Sequence, residues 1–127
     1  MPANTSPIFA LTPLIGIAQV TTANANRDGS GAIVDILTGT ANGTRVDKVY
    51  IKAVGTTTAG MIRFFLYDGT NTRLWKEVIV SAITPSATVE SFSSSFQTDL
   101  ILPSTYKLRA STEKTETFNI EAVGADF

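Results

Sequence analysis

The feature that most constrains this sequence is a two-residue alternation of apolar side chains across residues 45–82. Val49, Ile51 and Ala53 fall on one face of an extended chain, and polar residues fall on the other. The run 74–82 alternates in the same way. A period of two, with many β-branched residues, predicts β-strands in this stretch.

The run 61–67 between them is apolar on both faces. Ile62, Phe64 and Leu66 share one face, and the opposite face carries Phe65 and Tyr67. A strand with aromatic residues on both faces must be covered on both, either by a second sheet and a long loop or by another subunit. Phe65 and Tyr67 are therefore candidate interface residues.

Turn residues separate the strands of this stretch. Asn42-Gly43 is a strong hairpin signal, and the glycine-bounded segment 55–60 is typical of a slightly longer hairpin loop. Asp68-Gly69-Thr70-Asn71 predicts a further tight turn.

The rest of the chain continues the two-residue pattern, and no segment has a helical period. Further strands are predicted over 16–23, 32–40, 90–102, 106–110 and 118–122. This pattern predicts an all-β protein: an antiparallel β-sandwich of about eight strands with jelly-roll connectivity. A closed barrel is the structural alternative, because both architectures place alternate residues inside.

Residues 1–15 are predicted to form an extended N-terminal arm, and residues 16–127 a single β-sandwich domain. Three prolines in the arm prevent a regular helix. The arm is nevertheless too apolar for a free tail, through Ile8, Phe9, Leu11, Leu14 and Ile15. The first four are the predicted interface residues of the arm. It is expected either to lie along its own domain as an edge strand or to reach a neighbouring subunit.

Composition argues against several functions. The chain has no cysteine and no histidine, which removes thiolate and imidazole metal ligands and the ordinary catalytic triads. No paired carboxylates stand out, so no enzyme activity, cofactor or metal is predicted. A net charge of -1 indicates neither nucleic-acid nor membrane binding. The charged fraction of 17% is low against about 25% in ordinary domains, which favours a surface that contacts other proteins.

The loop from Asn24 to Asp28 has alternating oxygen-bearing side chains, as calcium loops do. It has one acid before Gly29 and is flanked by predicted strands rather than helices, so a turn is the favoured interpretation. Asp35 lies on an otherwise apolar strand face, where an acid must be exposed at an edge or paired.

Carbohydrate binding is the principal alternative function. β-Sandwich binding modules use exposed aromatic rings as flat platforms, and Tyr50 and Trp75 are the candidates here. For both residues, ordinary packing is the competing explanation.

The segment VDKVYIKAVGTTTAGMIRFFLYDGTNTRLWKEV, together with the short apolar N-terminal arm, resembles small virion proteins of tailed bacteriophages. The most specific part is 62–78, with its YDGTN turn and LWKE sequel. Such proteins decorate or cement capsids, usually as trimers, or form parts of head fibres and tails. The resemblance implies a structural role without turnover, in a virion assembled from proteins made in the host cytoplasm.

The sequence thus predicts a non-enzymatic capsid decoration protein. Its expected partners are further copies of itself, with a trimer favoured, and the major capsid protein or another virion protein. The apolar arm is the predicted contact. A glycan-binding or adhesion module in a head fibre or tail remains the alternative.

Overall fold

The computed structural model describes residues 10–127, which form eight β-strands and no helix. The strands are β1 (Thr12–Val20), β2 (Val34–Thr38), β3 (Thr44–Ala53), β4 (Gly60–Tyr67), β5 (Thr72–Val80), β6 (Ser93–Leu102), β7 (Lys107–Thr112) and β8 (Phe118–Asp126).

These strands form two four-stranded antiparallel sheets. Sheet A has the order β1-β8-β3-β6, and sheet B has the order β2-β7-β4-β5. The sheets pack face to face, and the apolar side chains of their inner faces form one core between them. The prediction of an all-β sandwich of about eight antiparallel strands is confirmed.

The core consists of the apolar residues that the alternation places on one face of each strand. β3, β4 and β8 lie inside their sheets and contribute most of the fully buried side chains. The core residues that these three strands contribute are Val46, Val49, Ile51, Ile62, Phe64, Phe118, Ile120 and Ala122.

Two of the predicted hairpins are wrong. The turn at Asn42-Gly43 and the segment 55–60 each carry the chain from one sheet to the other, since β2 and β4 lie in sheet B and β3 lies in sheet A. Only the turn at 68–71 joins paired neighbours, β4 and β5. Turn residues reverse the chain in either case; whether the next strand pairs beside its predecessor or stacks across the core depends on which faces must be buried.

The first strand begins earlier than its predicted start at residue 16. β1 starts at Thr12 and pairs with β8 along its whole length, from Thr12–Asp126 to Val20–Phe118. Pro13 is tolerated because β1 is an edge strand of sheet A. Residues 12–15, placed in the arm by the sequence, therefore lie along their own sandwich as the edge-strand alternative expects.

The edge of β1 lies against β2 of the other sheet. A Cβ on Gly16 would lie 2.3 Å from the carbonyl oxygen of Ile36, so only glycine permits this approach. The contact closes this side of the sandwich. On the opposite side, the edges are formed by β5 and β6.

Candidate functional site

The loop between β1 and β2, residues 21–33, lies across the outer face of sheet B. The backbone amide of Asn24 donates to the Thr112 carbonyl of β7 at 2.8 Å. The guanidinium of Arg63 in β4 donates to the backbone carbonyl of Asn24 at 3.5 Å. At the far side of the sheet, a Cβ on Gly29 would lie 2.2 Å from the carbonyl oxygen of Thr72 in β5. The loop thus passes over three strands of the sheet.

Phe65 lies on this outer face and has no exposed surface. It pairs with Leu74 of β5 and Arg109 of β7, between the loop contacts. The second apolar face of β4 is therefore covered by a loop of the same chain, which was one of the two alternatives. In this conformation Phe65 presents no surface to a partner subunit.

A buried cation joins the loop to the sheet. Arg63 is 1% exposed, and its guanidinium contacts Glu77 of β5 at 3.0 Å and Glu113 at 3.2 Å. Arg27 of the loop contacts the same Glu77 oxygen at 2.8 Å. The hydrogen bond from Arg27 lowers the pKa of Glu77, and the nearby Arg63 charge adds to this against the opposing effect of partial desolvation.

The loop is organised by its own hydrogen bonds. The side-chain nitrogen of Asn24 donates to the backbone carbonyls of Ser30 and Ala32 at 2.9 and 3.0 Å. The side-chain oxygen of Asn24 accepts a hydrogen bond from the backbone amide of Asn26. Asp28 accepts hydrogen bonds from the side chain and backbone of Ser30, which lower its pKa. These contacts are those of a turn, as the sequence favours.

Asp35 is paired, as expected for an acid on an apolar strand face. It lies in edge strand β2, and its oxygens contact Lys107 at 3.0 Å and Arg109 at 2.7 Å. Partial burial opposes ionisation, but the hydrogen bond from Lys107 and the charge of Arg109 outweigh it and lower the pKa of Asp35. Tyr67 lies beside this cluster, with the Arg109 guanidinium 4.1 Å from its ring centroid. Its hydroxyl donates to the Gly69 carbonyl.

The outer face of sheet A carries a row of exposed apolar side chains. Leu11 is 79% exposed, Ile15 52% and Ile17 69%, and Pro13 between them is also exposed. We call these four residues the β1 stripe. Val123 of β8, which pairs with Ile15, is half-buried beside it.

The four predicted arm residues are placed differently by the structure. Leu11 belongs to the β1 stripe, whereas Leu14 points inward and packs against the core of its own sandwich. Ile8 and Phe9 lie outside the described residues. Alternation explains the division, because over residues 13–20 of β1 the odd-numbered positions are exposed and the even-numbered ones are partly or fully buried. Leu11, just before β1, continues the exposed set.

The two aromatic residues of the predicted glycan platform are on different sheets. Tyr50 is 43% exposed on the outer face of sheet A. Trp75, in β5 of sheet B, packs against the core, with its ring centroid 6.1 Å from that of Phe96. The structure therefore does not bring them together, and Tyr50 alone remains as an open ring.

Sequence reasoning missed two features of these surfaces. Arg63 is the only charge in the run MIRFFLY, a signal that it needs a buried partner. Ile17 shares the odd-numbered phase of Leu11 and Ile15, and a strand predicted to start before residue 16 would have joined the three into one exposed row.

Two other kinds of site are not found in residues 10–127. These residues contain no group of three or more acidic, histidine or cysteine side chains placed to hold a metal ion. They also contain no helix suited to crossing a membrane.

No protein-family model matches the chain, and no curated protein matches it. Among solved structures, it is similar to one described as the acidic stable capsid structure of Helicobacter pylori bacteriophage KHP30, with a TM-score of 0.58 and 10% identity over 92% of this chain and 90% of that chain. A match to the structure of the infectious bursal disease virus Gx strain has 11% identity over 98% of this chain and 36% of that chain. Its TM-score of 0.37 is too low to support an argument. At 10% identity, the first similarity shows a shared β-sandwich fold.

Proposed function

We propose that this chain is a non-enzymatic structural protein of a phage virion, which decorates or cements the capsid as an oligomer. The observation that carries the proposal is the β1 stripe, an exposed apolar row at the N-terminal edge of the sandwich. The similarity of fold to a chain from a phage capsid structure supports the same role.

The strand order supports the proposal at the level of connectivity. Every consecutive pair of strands except β4 and β5 crosses between the sheets, giving the orders β1-β8-β3-β6 and β2-β7-β4-β5. This is the order expected of a jelly roll, an architecture that viral capsid domains use. Lectins and cupins use it too, so the connectivity favours a structural role without assigning one.

The β1 stripe is suited to permanent contact with protein. Its four residues carry no charge, and their side chains are exposed on the outer face of sheet A. Exposed apolar residues scattered singly are ordinary, but a contiguous row marks an interaction site. Ile8 and Phe9 directly precede the stripe in sequence and would enlarge the apolar contact.

The proposed partners are further copies of the chain, as a trimer, and the major capsid protein. A stable contact of this kind buries on the order of 1,000 Å² or more. The stripe with residues 1–9 is the part of the molecule proposed to supply it. Tyr67 lies on sheet B, next to Arg109 and away from this surface.

The proposal is tested with the variant I15S/I17S, a deletion of residues 1–9, and the control I79S. Ile79 is 76% exposed on β5 of sheet B, so I79S removes one exposed isoleucine without touching the stripe. Mass photometry measures oligomer size, and cosedimentation measures binding to empty capsids of the same virion.

Wild-type protein and I79S are expected to form oligomers and bind the capsids. I15S/I17S and the deletion are expected to shift toward monomers and to lose binding. A monomeric wild-type protein that ignores the capsid, or an I15S/I17S variant that behaves as wild type in both assays, would overturn the proposal.

A further inference from the structure

A shallow depression lies on the outer face of sheet A, over β3 and β6. Its volume is about 360 Å³, and it is lined by Tyr50, Ile51, Lys52 and residues 93–95. This volume is at the lower end of the range for small-molecule sites, about 300–1,000 Å³. The depression is two strands away from β1 in the sheet, so it is separate from the proposed assembly surface.

One wall of the depression is the ring of Tyr50. The ring is 43% exposed and pairs across the sheet with Ser95 of β6 on one side and Glu121 of β8 on the other. The Lys48 ammonium lies 5.0 Å from the ring centroid, within the range of a cation–π contact. An aromatic side chain with part of its surface open offers an apolar contact at a low cost in side-chain entropy.

Two polar lining residues, Lys52 and Ser93, share a hydrogen-bond partner beside the depression. Lys52 donates to the Glu90 carboxylate and to the Ser91 carbonyl, both at 3.1 Å. Ser93 donates to the same Glu90 oxygen at 3.3 Å. The hydrogen bond from Lys52 and its charge lower the pKa of Glu90, so the carboxylate accepts hydrogen bonds at neutral pH.

The charges around the depression balance. The cations Lys48 and Lys52 are matched by Glu90 and Glu121, so a phosphate or another strongly charged ligand finds no net attraction. The hydroxyl of Ser95, which is exposed in the floor of the depression, can both donate and accept. This combination suits a neutral ligand with many hydroxyl groups and an apolar face.

We propose that the depression between Tyr50 and Ser93 binds a neutral saccharide, whose C–H face stacks on Tyr50 while its hydroxyls bond to the Lys52–Glu90–Ser93 group. The site gives the protein an adhesive function in addition to assembly. Trp75 has no part in it, because its ring packs on the interior of the sandwich.

The test is binding of the intact protein to an array that carries neutral and sialylated oligosaccharides. Y50A is compared with Y50F, which keeps the ring, and with the control Y106A. Tyr106 is 37% exposed in the turn before β7, so its loss removes a similar exposed ring from another place. Thermal unfolding of each variant checks that the sandwich is intact.

Wild type, Y50F and Y106A are expected to retain neutral oligosaccharides, whereas Y50A loses about tenfold or more in affinity, which corresponds to ~1.4 kcal/mol. Absence of neutral-glycan binding by the wild-type protein overturns the proposal. So does retention that Y50A leaves unchanged, or retention confined to sialylated glycans. All four proteins keep the β1 stripe, so failure here leaves the assembly proposal to its own test.

Discussion

The outer faces of the two sheets differ in how far the chain itself covers their apolar side chains. On sheet B, the β1–β2 loop covers Phe65 and pairs with the buried Arg63. On sheet A, nothing within residues 10–127 covers Ile15 or Ile17, which remain 52% and 69% exposed. One chain therefore buries the second apolar face of β4 by itself, although Ile79 on β5 stays exposed, and it leaves the β1 stripe open on sheet A.

The comparison shows what an apolar outward position means. In β4, an apolar outward residue is covered by another segment of the same chain. In β1, we interpret the apolar outward residues as the place where another molecule binds. Stability measurements distinguish the two, because a covered residue contributes to the folding of the single chain and an open one does not.

F65A is expected to destabilise the fold by about 3–5 kcal/mol, as for other buried phenylalanines. The reason is that Phe65 is fully buried although it lies outside the main core. Urea denaturation measures the free energy of unfolding, and F118A, a fully buried residue of the main core, is the matched variant.

Similar losses in the two variants would establish that the loop-covered face behaves as a second core. A loss below about 1 kcal/mol for F65A, with a large loss for F118A, would mean that the loop is open in solution.

The second prediction concerns the Arg63 ion pairs. The double variant E77Q/E113Q leaves a guanidinium that is 1% exposed without a charged partner. An uncompensated buried charge of this kind costs on the order of 3 kcal/mol. Adding R63M to the double variant is expected to restore much of the loss, because the buried charge is then gone.

The exposed pair Lys52–Glu90 provides the control. Its double replacement K52M/E90Q should change the free energy of unfolding far less than E77Q/E113Q does, because solvent screens an exposed pair. If E77Q/E113Q costs no more than this control, the Arg63 pairs do not hold the loop on sheet B.

The two-residue alternation of apolar side chains determines which parts of the fold and of the candidate site could be predicted from the sequence. The phase of Val49, Ile51 and Phe64 gave the strands and the core, since only one face of each can enter the interior. Alternation carries no information about long-range cover. The fate of Phe65 depended on where residues 21–33 pass, and the sheet change after Asn42-Gly43 depended on the whole fold.

The third prediction is a pH dependence of the loop-covered face. The pKa of Glu77 in the folded chain is below its ordinary value of 4.5, because Glu77 accepts hydrogen bonds from Arg27 on the loop and from Arg63 on β4. Arg63 is also paired with Glu113. The stabilisation from Glu77 is therefore complete above pH 4.5 and is lost as the pH falls through the lower, folded pKa.

The difference in unfolding free energy between wild type and E77Q isolates this effect. The other carboxylates with lowered pKa values, Asp28, Asp35, Asp68 and Glu90, are common to both proteins and cancel. The difference should favour wild type at pH 7 and shrink toward zero below pH 4.5. A difference that is constant from pH 7 to pH 3 would contradict the role given to Glu77.

The smallest effect is expected for I17S on the open face. Ile17 is 69% exposed, so its replacement should change the stability of the isolated chain by no more than about 0.5 kcal/mol. Association makes the melting temperature depend on protein concentration, because the partner binds only the folded state. The wild-type melting temperature is therefore expected to rise with concentration, and that of I17S to rise less. A large loss of stability in I17S at low concentration would show that the single chain already covers this residue, and the contrast between the two faces would disappear.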